Sequence, residues 1–493
     1  MCSINSLPLV HSLLAQVHGH AERAAFVTPG GPVSYGALGR MIAMVAGRLR
    51  SRGVGRRDRV LLVGPNCPQW AAAYFAIHSV GAIAVPIDAD TRTASAQWIV
   101  GDCEASLAIS MVDTALPVPI EDLRSPELPN GNWDFDPQCR AEDVADLLYT
   151  SGTTGRKKGV VLTHANIASA ATNINAFVQN CGDDVEVVPL PLSHSFGLGR
   201  LRCMAQTGNT LALEPGMFNA ARLLKLVLEL HATGLALVPA GFDLLLRMTK
   251  DRLAMAQAHL RYIEIGSAAM RAESRQKLMK LLPNTRICHH YGLTEASRSA
   301  FCEYHADADA PKSIGRPSPN VEIVIRDAEG RELPPGEQGE LTVRGGMVMR
   351  EYWKQPQLTA STLCDGWLRT GDLGYKDQMG RLYLSGRKND VINVGGLKVN
   401  PEEVEDALRK HPKVRDVACI GVPDPNGITG ECVKAFFVSN ESVSNAELAT
   451  WVRDRLEEYK LPRVWQETSV IPKTPSGKIQ RHLLRRGENR DGS

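Results

Sequence analysis

The chain has 493 residues, more than the roughly 250–300 at which a single hydrophobic core stops growing, so at least two domains are expected. Its 56 basic and 54 acidic residues nearly cancel to a formal net charge of +2, which leaves no global field to draw the chain onto nucleic acid or anionic lipid. Eleven cysteines run from Cys2 to Cys432 with no CxxC pair, which argues against a zinc cluster or a disulfide framework and fits a reducing, cytoplasmic setting.

The N-terminal stretch MCSINSLPLVHSLLAQVHGH lacks a basic start and is interrupted by His11, so it reads as an amphipathic helix rather than a secretion signal. The most apolar window, Trp70 to Ile87, is barely long enough to span a bilayer and contains His78, Ser79 and Gly81; a buried helix running into the interior strand GAIAVPID is expected, with no transmembrane segment. From about residue 20 to 360, short apolar runs such as RVLLVG, LALVPA and LRYIEIG alternate with helical stretches such as ARLLKLVLELHA, the pattern of α/β layers. The Pro-rich region from Leu116 to Pro137 reads as a surface linker. Near residue 386 the character changes: GRLYLSGRKNDVINVGG reads as strand, polar turn and strand, PEEVEDALRKH as a helix with proline at its start, and VKAFFVS as another strand. The expected fold is therefore α/β: a large N-terminal α/β body of several sheets and helices over 1–386, a polar hinge over 387–390, and a smaller, mobile α+β C-terminal domain over 391–493.

The segment DLLYTSGTTGRKKGVVLTHANI, from Asp146 to Ile167, combines a strand, a Ser/Thr/Gly loop, a second strand and a helical start. Amides freed by glycine, hydroxyls and a lysine suit phosphate oxygens, although the same composition serves an ordinary hairpin turn. GxxxxGK[ST] cannot be laid on it, because Lys157 rather than glycine precedes Lys158, so the P-loop NTPase reading loses its main support. Downstream follow PLPLSHSFGLG around His194, IEIGSAAM, HHYGLTEAS, GELTVRGGMVMREYW, GWLRTGDLG, LYLSGRKNDVINVGGLKVNPEEVE and PKTPSGKIQRHLL. Taken singly, each has a plain structural reading: Glu295 at a helix N-terminus, Asp372 in a TGD turn, Lys478 solvated beside a basic tail.

Taken in order from Asp146 to Arg481, these motifs resemble those of the ANL superfamily of adenylate-forming enzymes, which includes acyl-CoA and aryl-CoA synthetases, peptide-synthetase adenylation domains and luciferases. The resemblance implies activation of a carboxylic acid with ATP as an acyl-AMP, then transfer of the acyl group to a pantetheine thiol. It places Thr150, Ser151, Gly152, Thr153, Thr154, Gly155 and Lys158 at the phosphates, and Ser267, Ala268, Ala269, His290 and Gly292 around the nucleotide, with Tyr291 stacked on adenine. Thr294 then meets the α-phosphate, Glu295 with Thr154 holds Mg²⁺, and Asp372 and Arg387 contact the ribose. Lys478 reaches the carboxylate and α-phosphate; His194, with a catalytic part, Phe196, Gly197, Gly241, Phe242 and Gly266 belong to the acyl pocket; and Asn389 or Asp390 is the hinge residue. The chemistry is apt: a carboxylate accepts from a vicinal diol, a compact ammonium bridges two anions, and magnesium on ATP needs few protein ligands.

Three positions depart from the family pattern: Lys157 stands where proline is usual, Glu351 where glycine is usual, and Asn389 where aspartate or lysine is common. An amino acid substrate is disfavoured, because SHSFGLGRL lacks the aspartate that holds an α-amino group. Gly197, Gly199, Gly241, Ser267 and Ala268 either leave room for an aliphatic or aryl chain or merely let backbones approach closely. The acceptor is coenzyme A or the phosphopantetheine of an acyl carrier protein, for which Arg453, Arg455 and Lys460 offer a docking patch. Two readings of another class remain: a luciferase-like oxygenase, and a non-catalytic nucleotide-binding protein, the latter opposed by joint retention of Thr154, Lys158, Glu295, Asp372, Arg387 and Lys478.

Overall fold

The computed structural model describes residues 7–91, 93–124, 135–151, 157–214, 219–388, 390–394, 397–425, 431–474 and 477–485, with backbone only at Ser151 and Lys398. Contacts divide them into two compact units. The first takes most of the chain up to Ile323 together with Val343–Leu368; the second takes Val324–Thr342 and Arg369 onward. Packing therefore places the hairpin before Arg387 with the C-terminal part, whereas the sequence boundary was expected at 386.

In the first unit, Leu9–Gly19 is the expected amphipathic helix, burying Leu9, Val10, Leu13 and Val17 along one stripe. The helix Pro68–Ser79 is buried along almost its whole length and leads into Ile83–Ile87, a strand buried at every position. No helix among the described residues is long and apolar enough to cross a membrane. Six strands run parallel side by side, in the order Ala24–Thr28, Thr210–Leu213, Val185–Val188, Gly234–Leu237, Tyr262–Ile265 and Arg286–Tyr291. Antiparallel Gly31–Ser34 closes one edge, and Ala300–Glu303 with Arg316–Pro317 closes the other.

A seven-stranded sheet in the same unit has parallel Ile120–Asp122, Leu107–Ser110, Arg59–Val63, Ile83–Ile87 and Val144–Ser151, followed by antiparallel Lys157–Thr163 and Glu351–Tyr352. The strand Ile120–Asp122 falls inside the stretch expected to be a linker, as a short edge strand. In open α/β sheets, ligands gather at the carboxyl ends of the parallel strands, and the IEIG and HHYG motifs lie there.

The second unit carries a hairpin of Ile392–Val394 and Leu397–Val399, then the helix Pro401–Arg409 with Asn400 as N-cap and proline at the first position. Its sheet pairs Val414–Pro423 antiparallel with Glu431–Ser439, and the latter parallel with Val464–Glu467. Val404, Leu408, Val417, Ala435, Phe437 and Leu448 form its own apolar core, as the expected α+β unit requires.

Under the helix His164–Val178, a buried polar cluster carries a pH consequence. Tyr74 donates to Asp146 at 3.0 Å, His78 Nε2 lies 3.1 Å from the same carboxylate, and Arg202 pairs with it. The His164 ring packs edge-on to His78 at 4.8 Å, and neither of its nitrogens has a hydrogen-bond partner among the described residues. Burial, reinforced by His78, pushes His164 down to about 3. The folded chain thus binds fewer protons there than the unfolded chain, so stability is lost as pH falls from about 6.5 toward 3, by up to about 1.4 kcal/mol per pH unit. His164→Phe is expected to flatten the fall of Tm between pH 7 and pH 4 relative to the parent; parallel curves in thermal melts would count against this origin.

Candidate active site

The first part of the site is set by strand register. Val144–Ser151 and Lys157–Thr163 pair so that Tyr149 faces Gly159, Thr150 faces Lys158 and Ser151 faces Lys157. Thr163 caps the following helix in a reciprocal box with Asn166, which sets where the second strand ends. A side chain at Gly159 would stand 2.8 Å from Leu147 and 3.0 Å from Trp353, so the EYW segment can approach only because residue 159 is glycine.

That approach brings Tyr352 to the site, a residue the motif reading had left without a role. Its hydroxyl donates to Glu295 Oε1 at 2.8 Å, and Lys158 Nζ stands 5.4 Å from its ring centroid. Burial and the Glu295 charge push the phenol well above its ordinary range, so it remains a donor. Residues from three distant motifs, Lys158, Glu295 and Tyr352, are thereby brought together. Glu351, in place of the usual glycine, pairs in register with Val161 at the sheet edge and leaves its side chain exposed, without disturbing the neighbouring tyrosine.

The second part lies at the ends of Tyr262–Ile265 and Arg286–Tyr291. Ser267 has φ +76°, a left-handed conformation unusual for a residue with a side chain and common where function demands it. His289 Nε2 lies 2.9 Å from the Ala268 carbonyl oxygen, tying the two strand ends together. His290 Nδ1 lies 2.8 Å from Glu264, and its ring meets Phe196 edge-on at 4.6 Å. A Cβ at Gly266 would fall 1.9 Å from His290 Cε1. Tyr291 ends its strand opposite Ala300, a Cβ at Gly292 would fall 2.5 Å from the Arg298 nitrogen, and Thr294 is partly exposed in the turn that follows.

Glu264 is fully buried and pairs with Arg200 at 2.9 Å and Arg298 at 3.0 Å. Burial raises its carboxyl, but the two guanidinium groups and His290 outweigh burial and hold it far below the usual carboxylate range. Arg298 also donates to the carbonyls of Ser195 and Phe196, each at 2.9 Å, locking the start of the helix Ser195–Thr207.

The glycines now divide between their two readings. The space beside Gly197 is filled by Pro191, that beside Gly199 by Arg298 and that beside Gly266 by His290, so all three serve close approach. Gly241 lies in the first turn of the helix Pro239–Thr249, and Phe242 is wholly enclosed in the apolar core with Leu237 and Leu245. In this conformation Phe242 is a packing residue, not an open pocket wall.

The third part joins His194 to Asp88, which motif reading missed. Asp88 follows the buried strand Ile83–Ile87; its carboxylate lies 3.0 Å from His194 Nε2 and accepts from the Ser193 hydroxyl. Burial raises Asp88, yet His194 and Ser193 outweigh it and hold the carboxyl below its ordinary range. Lys157 is pushed down by burial against the attraction of the same carboxylate. The extra cation in the phosphate-loop motif therefore has a counter-charge, and the sequence signal was the single acid ending an apolar run.

The second unit supplies Asp372 and Arg387, register partners across a hairpin, with Nε 2.9 Å from Oδ1. Lys478 is exposed in a loop closed by its amide donating to Thr474 Oγ1 at 3.1 Å and its carbonyl accepting from Thr474 at 2.8 Å. Gly152, Thr153, Thr154, Gly155 and Asn389 lie outside the described residues, as does the Ser151 side chain. Among the described residues no three His, Cys, Asp or Glu side chains converge to hold a metal, so a magnesium ion held through Glu295 would take most of its ligands from phosphate and water.

Residues 13–353 match the model of the AMP-binding enzymes, and residues 403–478 match the AMP-binding enzyme C-terminal domain. The chain belongs to this family, the adenylate-forming ANL enzymes, and is an AMP-forming acid–thiol ligase by class. It is 32% identical to a feruloyl-CoA synthase of Amycolatopsis sp. over 94% of this chain and 96% of the relative. It is 31% identical to a long-chain-fatty-acid–CoA ligase of Bacillus subtilis, covering 89% and 87% respectively. The o-succinylbenzoate CoA synthetase of Bacillus subtilis, solved with its acyl-adenylate intermediate, superposes with TM-score 0.88 at 26% identity, over 97% of this chain and 98% of that one.

The Gly266–His290 contact yields a direct test. Gly266→Ala is expected to cost about 1–3 kcal/mol by overpacking and to displace His290, raising KM for the acid. His290→Ala in the same chain is expected to recover part of the lost Tm, a coupling that a double-mutant cycle measures. Strict additivity would place the strain elsewhere.

Proposed function

We propose that this protein activates a fatty or aryl carboxylic acid with MgATP to an acyl-AMP and passes the acyl group to coenzyme A. The observation that carries the proposal is the meeting of Lys158 and Tyr352, on neighbouring strands at one sheet edge, with Glu295 from the turn after Arg286–Tyr291; the second unit holds the Asp372–Arg387 pair. The feruloyl and long-chain relatives are named for aryl and fatty acids, and the solved synthetase holds an acyl-adenylate.

In the first half-reaction a carboxylate oxygen attacks the α-phosphorus of ATP and pyrophosphate leaves, so catalysis rests on positioning and charge neutralisation. Lys158 and the loop before it bind phosphate oxygens, Thr294 meets the α-phosphate, and Tyr291 with Ser267, Ala268 and Ala269 frames the adenine. Asp372 accepts from the ribose hydroxyls while Arg387 holds its carboxylate in place. Magnesium supplies charge neutralisation at the phosphates when bound, and Glu295, steadied by Tyr352, is the carboxylate suited to it. Lys478 stabilises the charge that builds between carboxylate and phosphorus. The small domain then turns about the 387–390 segment, and a thiol attacks the acyl carbonyl, expelling AMP. His194, oriented by Asp88, stands at the start of the helix that borders the acyl pocket.

Coenzyme A is favoured over a carrier protein as acceptor. Of the basic residues suited to a carrier, Lys460 is already paired with Glu403 at 2.7 Å and Glu457 at 2.9 Å, and Arg455 is stacked on Trp451. The ten cysteines among the described residues are unpaired, which supports a reducing, cytoplasmic setting.

Acid-dependent exchange of labelled pyrophosphate into ATP, run over fatty, aryl and amino acids, is expected to respond to one of the first two classes. CoA-dependent thioester formation should then follow. Lys478→Ala is expected to lose exchange by roughly 100-fold or more while retaining ATP binding. No exchange with any acid despite ATP binding would overturn the proposal.

A further inference from the structure

The loop carrying Lys478 is followed at once by Arg481, and this arginine is engaged on three sides within the second unit. Its Nη2 lies 2.6 Å from Glu405 Oε1, its Nε donates to the Cys419 carbonyl at 3.2 Å, and its Nη1 stands 3.6 Å from Asp390 Oδ2. Asp390 belongs to the hinge segment, and its other oxygen is held by Arg485 at 3.2 Å. Arg481 and Asp390 are only 10% and 15% exposed and Glu405 only 2%, so water screens these pairs little. Glu405 is raised to about 7 by burial, against the pull of Arg481, and it also accepts from the Cys419 amide at 2.7 Å.

Between Lys478 and Arg481 the chain has little slack. Ile479 bridges Lys473 and packs with Ile471 and Phe436, while Gln480 donates its amide to the Pro472 carbonyl at 2.8 Å. On the hinge side, the Asp390 amide donates to Arg387 at 3.0 Å and the Lys388 amide donates to Gly371 at 2.8 Å, beside the Asp372–Arg387 pair. A continuous set of contacts therefore runs from the ribose-binding pair, through Asp390 and Arg481, to the loop of Lys478.

We propose that Arg481 is a positioning residue of the adenylation step: by clasping Asp390 and Glu405 it ties the hinge carboxylate and the Lys478 loop into one rigid piece. This inference rests on the reading of Lys478 given above. A misplacement of about 1 Å in a group that stabilises developing charge costs on the order of 100-fold in rate, whereas on that reading the turn of the small domain withdraws Lys478 before acyl transfer from the acyl-AMP. The two half-reactions therefore report differently on the clasp.

The test uses the full chain with ferulate and decanoate as probe acids and their acyl-AMPs as preformed intermediates. Asp390→Asn removes one arm and leaves Arg481 on Glu405; Arg481→Met removes both, and Arg481→Lys returns a charge without the fork. Expected is a loss of roughly 10- to 100-fold in exchange kcat for Asp390→Asn and Arg481→Met, with partial recovery in Arg481→Lys. In Arg481→Met, which lies outside the hinge and touches neither substrate, KM for ATP and the rate of thioester formation from acyl-AMP should stay within about twofold. Equal losses in both half-reactions with a lowered Tm would make Arg481 a scaffold residue and overturn the inference, as would unaltered exchange in Asp390→Asn. Lys478→Ala is the control: if it retains exchange, the reading of Lys478 fails; if it is inactive while Asp390→Asn is normal, only the clasp fails.

Discussion

Much of the candidate site in the first unit depends on one buried carboxylate, Glu264. A lone ionised group there would cost several kcal/mol, and the chain meets that cost with Arg200, Arg298 and His290 around a single side chain. The arrangement also does positional work, because each partner is committed elsewhere. Arg298 grips the carbonyls that open the His194 helix, Arg200 reaches Glu186 on the next strand but one, and His290 abuts Gly266 and Phe196. The pocket motif, the adenine-side motif and the helix between them are thus indexed to one charge. Loss of Arg200 or Arg298 would leave buried charge poorly compensated, so neither guanidinium can be removed alone without a large change in stability, whereas burial disfavours the charged form of His290 and its removal costs less.

Legibility in the sequence followed the range of the physics. Elements set by local pattern, such as the amphipathic Leu9–Gly19, the buried run into Ile83–Ile87 and the Pro401–Arg409 helix with its cap, were readable because spacing and capping act over a few residues. Lys158, Glu295, Asp372 and Lys478 stood out through the family resemblance that their ordered motifs carry, not through local pattern. Pairings across long sequence distances were not readable. Asp88 meets His194 across 106 positions of sequence, and Tyr352 meets Glu295 across 57, and nothing near either residue announces its partner.

The glycines show the same limit from the other side. Composition alone could not tell an empty pocket from a crowded one at Gly197, Gly199 and Gly266. The difference lies in Pro191, Arg298 and His290, whose approach is decided by tertiary packing. Phe242 likewise looked like a pocket residue by position but was claimed by the core around Leu237 and Leu245.

The pairing of Ser151 with Lys157 and Thr150 with Lys158 means that exactly five positions of the chain separate the two strands. Because successive strand residues face opposite sides of a sheet and Lys158 shares its strand with the buried Val160 and Val161, a slip of that strand by one residue past Val144–Ser151 would move the lysine off its partner and turn the valines to the opposite face. The burial of the two valines thereby fixes where the lysine stands. A polar residue at Val160 or Val161 would weaken that hold, so two apolar side chains that take no part in the chemistry govern where its lysine is presented.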